Sequence, residues 1–187
     1  GRFFTRTELV TRRPDKSIHR TTYGDFHART QQFANALQRL GVKPGDRVAT
    51  LGWNTARHLE AYFAAPLTGA VLHTLNPRLS ATDLAYIMNH ADDQVLVVDD
   101  VLYPVFERFA REVKPKHVIV WGHGGPAPAN TIDYEELIEP EIPSFVVPHI
   151  DENQALGMCY TSGTTGRPKG VVYSHRAVVL HSMASAL

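Results

Sequence analysis

Tyr160 to Gly170 reads YTSGTTGRPKG, a run of hydroxyls and glycines with one lysine, and its chemistry is that of anion binding. Gly163 and Gly166 tolerate positive φ and let the backbone come close to a ligand. Successive N–H groups in such turns form a concavity for anions. Thr161, Ser162, Thr164 and Thr165 add hydroxyl donors, Lys169 adds a point charge, and Pro168 restrains the backbone beside it. A hydrogen bond to a charged group contributes roughly 1.5–3 kcal/mol, so a handful could hold a polyphosphate. The expected role of residues 161–169 is a clamp over the β- and γ-phosphates of a nucleotide.

Two other readings of the stretch are weaker. A flexible linker would join exposed polar ends, whereas this run sits between the apolar segments ALGMCY and GVVYSH. A kinase or ATPase P-loop needs G-x-x-x-x-G-K-[ST]. Here Lys169 follows Gly166 by three residues, and Gly170 stands where the magnesium-binding hydroxyl would be. Pro168 and the following VVY also argue against the helix that such a loop opens.

Most other reactive side chains read as structural. Cys159 is expected to pack as a small strand residue rather than act as a nucleophile. His175 is expected to pack or cap behind Ser174. Asn76-Pro77-Arg78 reads as a turn, and Trp53 and Tyr62 read as core or helix-face aromatics. Ten histidines raise the question of a metal, but there is no HExxH and no CxxC, and His175 and His181 are six apart. No zinc site built by the protein is expected.

The elements that must position the loop alternate along the chain. ELVTRR and SIHRTT around PDK read as a hairpin. Thr22 with Asp25 forms a capping-box variant. It opens a helix with Phe26, Phe33, Ala34, Leu37 and Leu40 on one face, closed by Gly41. After the turn KPGD, RVATLG (47–52) is a strand, Asn54 caps a helix running to Gly69, and AVLHTL (70–75) is a second strand. Ser80 with Asp83 opens a third helix, and QVLVVDD (94–100) is a third strand. LYPVFERFAREV is expected as one helix and HVIVWG (117–122) as a fourth strand. Beyond it come a loop at 122–130, a short acidic helix TIDYEELIE and a proline-rich connection that cannot be regular helix. ALGMCY and GVVYSH are strands joined by the glycine loop, and Ser174 caps a last helix from His175. Strand–helix alternation with short connections predicts an α/β fold with a mainly parallel sheet flanked by helices. The expected organisation is a hairpin region at 1–22, an α/β unit at 23–122, a connection at 123–154 and the loop-bearing segment at 155–187. No strand is followed by G-x-G-x-x-G, so a dinucleotide site is not supported.

Composition bounds the function. The 187 residues are 43% hydrophobic and 20% charged, with nineteen Lys+Arg against nineteen Asp+Glu. That balance gives no electrostatic footprint for nucleic acid or an acidic membrane. A single cysteine, Cys159, permits no internal disulfide and suggests a reducing compartment. The least charged stretch, Ala61–Leu75, is broken by Pro66 and Gly69 and is shorter than the about 20 residues of a membrane span. No signal peptide is visible, and a cytoplasmic protein is expected.

YTSGTTGRPKGVVYSH resembles the phosphate-loop signature of the adenylate-forming (AMP-binding) superfamily, which includes acyl-CoA synthetases, luciferases and peptide-synthetase adenylation domains. The likeness extends from about Ser17 to the end through TYGDF, GVKPGDRVATLGWN and GAVLHTLNPRLSATDLAYIMNHADDQVLVVD. Within the superfamily, RHLEAYFA, GAVLHTLNPRLS and GVVYSHRAVVLHS are similar to bacterial medium- and long-chain fatty-acyl-CoA synthetases, and short thioether-acid ligases are close behind. The resemblance implies a two-step ligase using ATP, Mg2+ and coenzyme A. A carboxylic acid, expected to be a fatty acid, becomes acyl-AMP with loss of pyrophosphate, and the coenzyme A thiol then displaces AMP.

Thr161, Ser162, Gly163, Thr164, Thr165, Gly166 and Lys169 would hold the phosphates, with Thr161 near the magnesium and Lys169 in the catalytic role. Arg167 occupies a variable position and is given none. The partners implied are small molecules, with a homodimer compatible. By the same resemblance the chain is a partial N-terminal domain, inactive alone, whose adenine and acyl pockets lie mostly elsewhere. The alternatives are an adenylation domain that loads a carrier protein, a methylmercaptopropionate-type ligase, and a non-catalytic ATP- or acyl-binding module.

Overall fold

The computed structural model describes residues 3–122, 126–161 and 166–186. An antiparallel hairpin, β1 (Glu8–Arg12) and β2 (Ile18–Thr22), leads into helix α1 (Tyr23–Arg39). The expected capping box is formed in full. Asp25 N–H donates to the Thr22 hydroxyl at 3.1 Å and Thr22 N–H donates to the Asp25 carboxylate at 3.2 Å. Gly41 ends the helix at φ +85°, which L side chains rarely adopt.

Strand β3 (Arg47–Leu51) is followed by α2 (Ala56–Leu67), β4 (Val71–Thr74), α3 (Ala81–Ala91) and β5 (Asp93–Asp99). Asn54 does not cap α2. The next residue, Thr55, does, its hydroxyl accepting from His58 N–H at 3.3 Å. Ser80 caps α3 as expected. The single helix anticipated over 102–113 is broken. A 3-10 turn at Asp100–Leu102 precedes α4 (Tyr103–Glu107), and a second turn covers Ala110–Glu112. Pro104 sits in the first turn of α4, where its missing N–H costs nothing but blocks helix upstream. Phe109 leaves helical geometry at φ −129°, and its ring packs edge-on against Phe106 in the core. Strand β6 (His117–Trp121) is followed by the two-residue β7 (Ile132–Asp133) and by α5 (Tyr134–Ile138), capped by Asp133. The last elements are β8 (Ala155–Thr161), β9 (Lys169–Ser174) and α6 (His175–Ser185), capped by Ser174.

Seven strands form one sheet in the order β7-β6-β5-β3-β4-β8-β9, parallel throughout except for the antiparallel pair β8–β9. The strands alternate between two cores, as period-two side chains require. Val48, Val95, Val97, Ile119 and Trp121 join Phe33, Leu37, Ala61 and Tyr134 beneath α1, α2 and α5. Ala49, Leu51, Leu96, Val98 and Val120 join Leu84, Ile87, Phe106 and Phe109 on the other face. β9 and α6 lie outside both cores and contain no buried residue. Among the described residues no helix is long and apolar enough to cross a membrane.

Candidate nucleotide-phosphate site

β8 runs parallel to β4 beside it, so Thr161 marks the carboxyl end of a strand in the parallel part of the sheet. Open α/β sheets place ligands at that end. β9 returns antiparallel, and its first residue, Lys169, is the register partner of Thr161. Directly opposed residues in such a pair project from the same face, so the two side chains leave the sheet on the same side. Both residues are exposed, and Lys169 makes no ion pair with any other described residue. Gly166 has φ +142°, and a Cβ there would meet nothing within 4 Å. Its glycine is therefore required by backbone conformation rather than by space. Ser162, Gly163, Thr164 and Thr165 lie outside the described residues.

The two strands are anchored on the other face. Tyr160 faces Gly170 across the pair, and its hydroxyl hydrogen-bonds His90 Nδ1 at 2.6 Å. Its ring lies against buried His73, which is held by the Asp93 carboxylate at 2.8 and 2.9 Å. Burial pushes Asp93 up and the His73 hydrogen bond opposes it. Arg167 stacks over the Tyr86 ring. Sequence reading missed Tyr86, His90, Tyr160 and Arg167. The only local signal was the four-residue spacing of Tyr86 and His90 on α3.

One residue expected to pack in the core does so only in part. Cys159 is half-buried, with Sγ 3.6 Å from the Tyr173 hydroxyl on neighbouring β9, whose residues are nearly all exposed. Trp53 is 43% exposed; Tyr62, also 43% exposed, is a helix-face aromatic of α2 as expected, its ring centroid 5.1 Å from that of His58. His175 does pack as expected, its Nε2 buried and its basicity lowered by burial, while its backbone N–H donates to Gln154. Arg78 sits in a turn in which Asn76 Oδ1 accepts from its N–H at 3.0 Å.

A second polar centre lies far along the sheet. A cavity of about 540 Å³ between the hairpin and the helices is lined by Arg13, His19, Arg29, Arg57, Glu60 and Glu135. Arg29 donates to Glu60 at 2.8 Å and doubly to Glu135 at 2.9 and 3.0 Å, and Arg57 also reaches Glu135. These ion pairs tie α5 to α1 and α2. Burial works to raise the Glu135 pKa, but the hydrogen bond and charge of Arg29, with Arg57, outweigh it and hold it low.

Among the described residues no group of three or more His, Cys, Asp or Glu is placed to hold a metal ion. Thr161 could supply one hydroxyl to a magnesium whose other ligands are phosphate oxygens and water, the usual way this ion is held. A free lysine opposite a hydroxyl at the mouth of a glycine-rich turn suits a triphosphate with its cation.

The fold is an α/β domain whose mainly parallel sheet ends in an antiparallel hairpin. A profile of the AMP-binding enzyme family matches residues 4–186, and the chain belongs to that family. It is 51% identical to a long-chain-fatty-acid–CoA ligase of Thermus thermophilus over 98% of its own length and 33% of the relative's. It is 44% identical to a 3-methylmercaptopropionyl-CoA ligase of Ruegeria lacuscaerulensis, over 99% of this chain and 35% of that one. Among solved structures, an anthranilate CoA ligase in complex with anthranoyl-AMP superposes with TM-score 0.83 at 25% identity, over 91% of this chain and 32% of that one. A fatty acyl CoA synthetase of Mycobacterium tuberculosis superposes with TM-score 0.78 at 25% identity, over 96% of this chain and 34% of that one. The chain thus spans about a third of the length of the relatives it matches.

Proposed function

We propose that the full-length protein is an ATP-dependent acid–CoA ligase and that its acid is a medium- or long-chain fatty acid. The observation that carries the reading is the Thr161–Lys169 pair at the mouth of the glycine-rich turn, in a chain of the AMP-binding family. In the first step a carboxylate oxygen attacks the α-phosphorus of ATP, the α–β bond breaks and pyrophosphate leaves. Negative charge grows on the leaving phosphates, and donors already aimed there stabilise it. Lys169 and the hydroxyl of Thr161 are such donors, joined by the Ser162–Thr165 segment and Gly166. Magnesium, when bound, supplies further charge neutralisation to the phosphates. In the second step the thiol sulfur of coenzyme A forms a bond to the acyl carbon, its proton is lost, and AMP departs. The remaining two thirds of a relative-length protein would supply the adenine, acyl and coenzyme A contacts.

A second reading, a short thioether acid, is favoured by the 44% identity to the methylmercaptopropionyl-CoA ligase. The test is ATP–pyrophosphate exchange by the full-length protein with acetate, octanoate, palmitate and 3-methylmercaptopropionate, followed by thioester formation with free coenzyme A or a carrier domain. Strongest exchange with octanoate or palmitate, and thioester on coenzyme A, is expected. A preference for acetate or an amino acid removes both acid assignments, and transfer only to a carrier domain makes it an adenylation domain. Absence of exchange with every acid removes the ligase reading and leaves a binding module.

A further inference from the structure

At its open end β8 meets a core only through half-buried Tyr160, and β9 has no buried residue at all. Strand register is set firmly where one face is buried and weakly elsewhere. Core burial therefore holds β8 through Tyr160 alone and β9 not at all, so Thr161 stays opposite Lys169 only if the contacts around Tyr160 and on β9's stem are kept. Helix α3 is placed to keep them. It is fixed to the core by Leu84, Ala85, Ile87, Met88 and Ala91. From its other side Tyr86 and His90, one turn apart with ring centroids 5.4 Å from each other, reach the two stems of the turn. His90 Nδ1 is 2.6 Å from the hydroxyl of Tyr160, the residue before Thr161. The Tyr86 ring centroid is 5.2 Å from Cζ of Arg167, two residues before Lys169.

Gly170 completes the seat. A Cβ at Gly170 would lie 3.2 Å from Tyr160 Cζ and 3.4 Å from Met158 Cε. A bare glycine opposite Tyr160 lets the ring lie across β9 while its hydroxyl reaches α3. Below the ring, His73 is fully buried and clamped by Asp93, so the floor of the seat is rigid.

We infer that Tyr86 and His90 of α3 are positioning residues that hold Tyr160 and Arg167, and through them the Thr161–Lys169 pair, in the geometry that grips phosphate. The inference rests on the proposed phosphate-binding role of the turn. A rigid helix supporting a functional pair from behind is how such pairs keep their spacing. If the stems loosen, only a fraction of molecules has the pair in register. Apparent ligand affinity then falls by that fraction while the chemistry of the correctly arranged molecules is unchanged. An arginine over a tyrosine face and a single hydrogen bond are each modest contacts, so the effect of losing one is a matter of several-fold.

The experiment uses the full-length protein and the variants Tyr160→Phe, His90→Leu, Arg167→Met, Arg167→Lys and the double variant of Tyr160→Phe with His90→Leu. Three quantities are read: KM for Mg-ATP against kcat in pyrophosphate exchange, amide hydrogen exchange of residues 157–161 and 169–173, and the thermal midpoint. Tyr160→Phe, His90→Leu and Arg167→Met are each expected to raise KM roughly threefold to tenfold with kcat within about twofold. Amide exchange should quicken in both strand ends, with the thermal midpoint within about 2 °C of the parent. The double variant should be no worse than its worse single, because both remove the same bond. Arg167→Lys should recover much of the loss, since an ammonium also binds an aromatic face. Unchanged KM together with unchanged amide exchange overturns the inference, as does a KM effect that merely follows a lowered thermal midpoint. If the parent shows no pyrophosphate exchange with any acid, the ligase reading fails, and amide exchange in the variants still decides whether α3 holds the stems.

Discussion

Thr161 and Lys169 are register partners at the open end of the β8–β9 pair, eight positions apart in the chain and directly across from one another in the sheet. One stem therefore carries a hydroxyl and the other an ammonium, the two donors that the proposed phosphate clamp would use. Lys169 has no competing carboxylate among the described residues. Lys169→Ala is therefore expected to lower kcat/KM for Mg-ATP by roughly 10- to 100-fold, the worth of one charge-assisted hydrogen bond. Gly163→Val should cost more, because the proposed clamp needs a backbone free of side chain beside its ligand. Pyrophosphate exchange by the full-length protein measures both. Parent-like kinetics in the two variants would return the stretch to a simple linker.

Local chemistry made much of this fold readable. The pairs Thr22–Asp25 and Ser80–Asp83, the αL glycine at 41 and the apolar spacing of α1 all depend on neighbours within a few residues. The errors have local causes too. Asn54 and Thr55 are adjacent cap candidates, and only backbone geometry chooses between them. Pro104 breaks a helix whose apolar pattern is otherwise continuous. What could not be read depends on distant chain. β7 is two residues long and exists only because β6 is beside it. The placement of β3 between β5 and β4 leaves no mark in any one segment. Tyr160 and His90 are 70 residues apart, and Arg29 and Glu135 are 106 apart. Cys159 looked like core because it is a small residue in an apolar strand, whereas its burial depends on its neighbour β9, which lies at the exposed edge of the sheet.

Gly52 is needed for a different reason from Gly41. A Cβ at Gly52 would lie 2.6 Å from Cζ3 of Trp121, which is buried among His58 and Tyr134 and cannot swing away. A Cβ at Gly41 would meet nothing, but φ is +85° there. Gly52→Ala is expected to cost about 1–3 kcal/mol through overpacking, and to shift tryptophan fluorescence as the Trp121 environment changes. Gly41→Ala is expected to cost about 1–2 kcal/mol through backbone strain with the fluorescence unchanged. Urea unfolding of the full-length protein, followed by fluorescence, separates the two.

Glu60 sits at the centre of the ion-pair network and is 3% exposed. It accepts from Arg29 Nε at 2.8 Å and from the Tyr134 hydroxyl at 2.5 Å. Glu60→Ala leaves a half-buried guanidinium short of a partner and a buried phenol with none, and is expected to destabilise by about 3–5 kcal/mol. Glu8→Ala removes only the surface partner of Arg20 and should stay within about 1 kcal/mol of the parent. Comparable losses in the two would show that the network is no more than a surface feature.

His58 makes the stability of this unit depend on pH in a direction that can be worked out. Its Nδ1–H donates to the Trp53 carbonyl at 3.1 Å, and its Nε2 accepts from the Thr50 hydroxyl at 2.9 Å, an arrangement that suits the neutral ring. Burial lowers its pKa below the ordinary 6.5, and the Trp53 hydrogen bond opposes only part of that shift. As pH falls through 6.5 the unfolded chain takes up the proton first. The unfolded state then holds more protons than the folded one, and stability drops as pH falls until the folded pKa is reached. Above 6.5 both states are neutral and the contribution is fully present. Glu135 acts in the same direction lower down. Its depressed pKa stabilises above the unfolded value and is lost as pH falls toward the folded one. The urea midpoint of the full-length protein should therefore be flat from pH 8 to 7 and fall between pH 6.5 and 5. The loss has an upper slope of about 1.4 kcal/mol per pH unit for each buried histidine. His58→Gln should lower the midpoint at pH 7.5, since the ring's two hydrogen bonds are disturbed, and should flatten the fall between pH 6.5 and 5. A fall of the same steepness in the variant would assign the acid sensitivity to other groups, His19 and His175 first, whose pKa values burial also lowers.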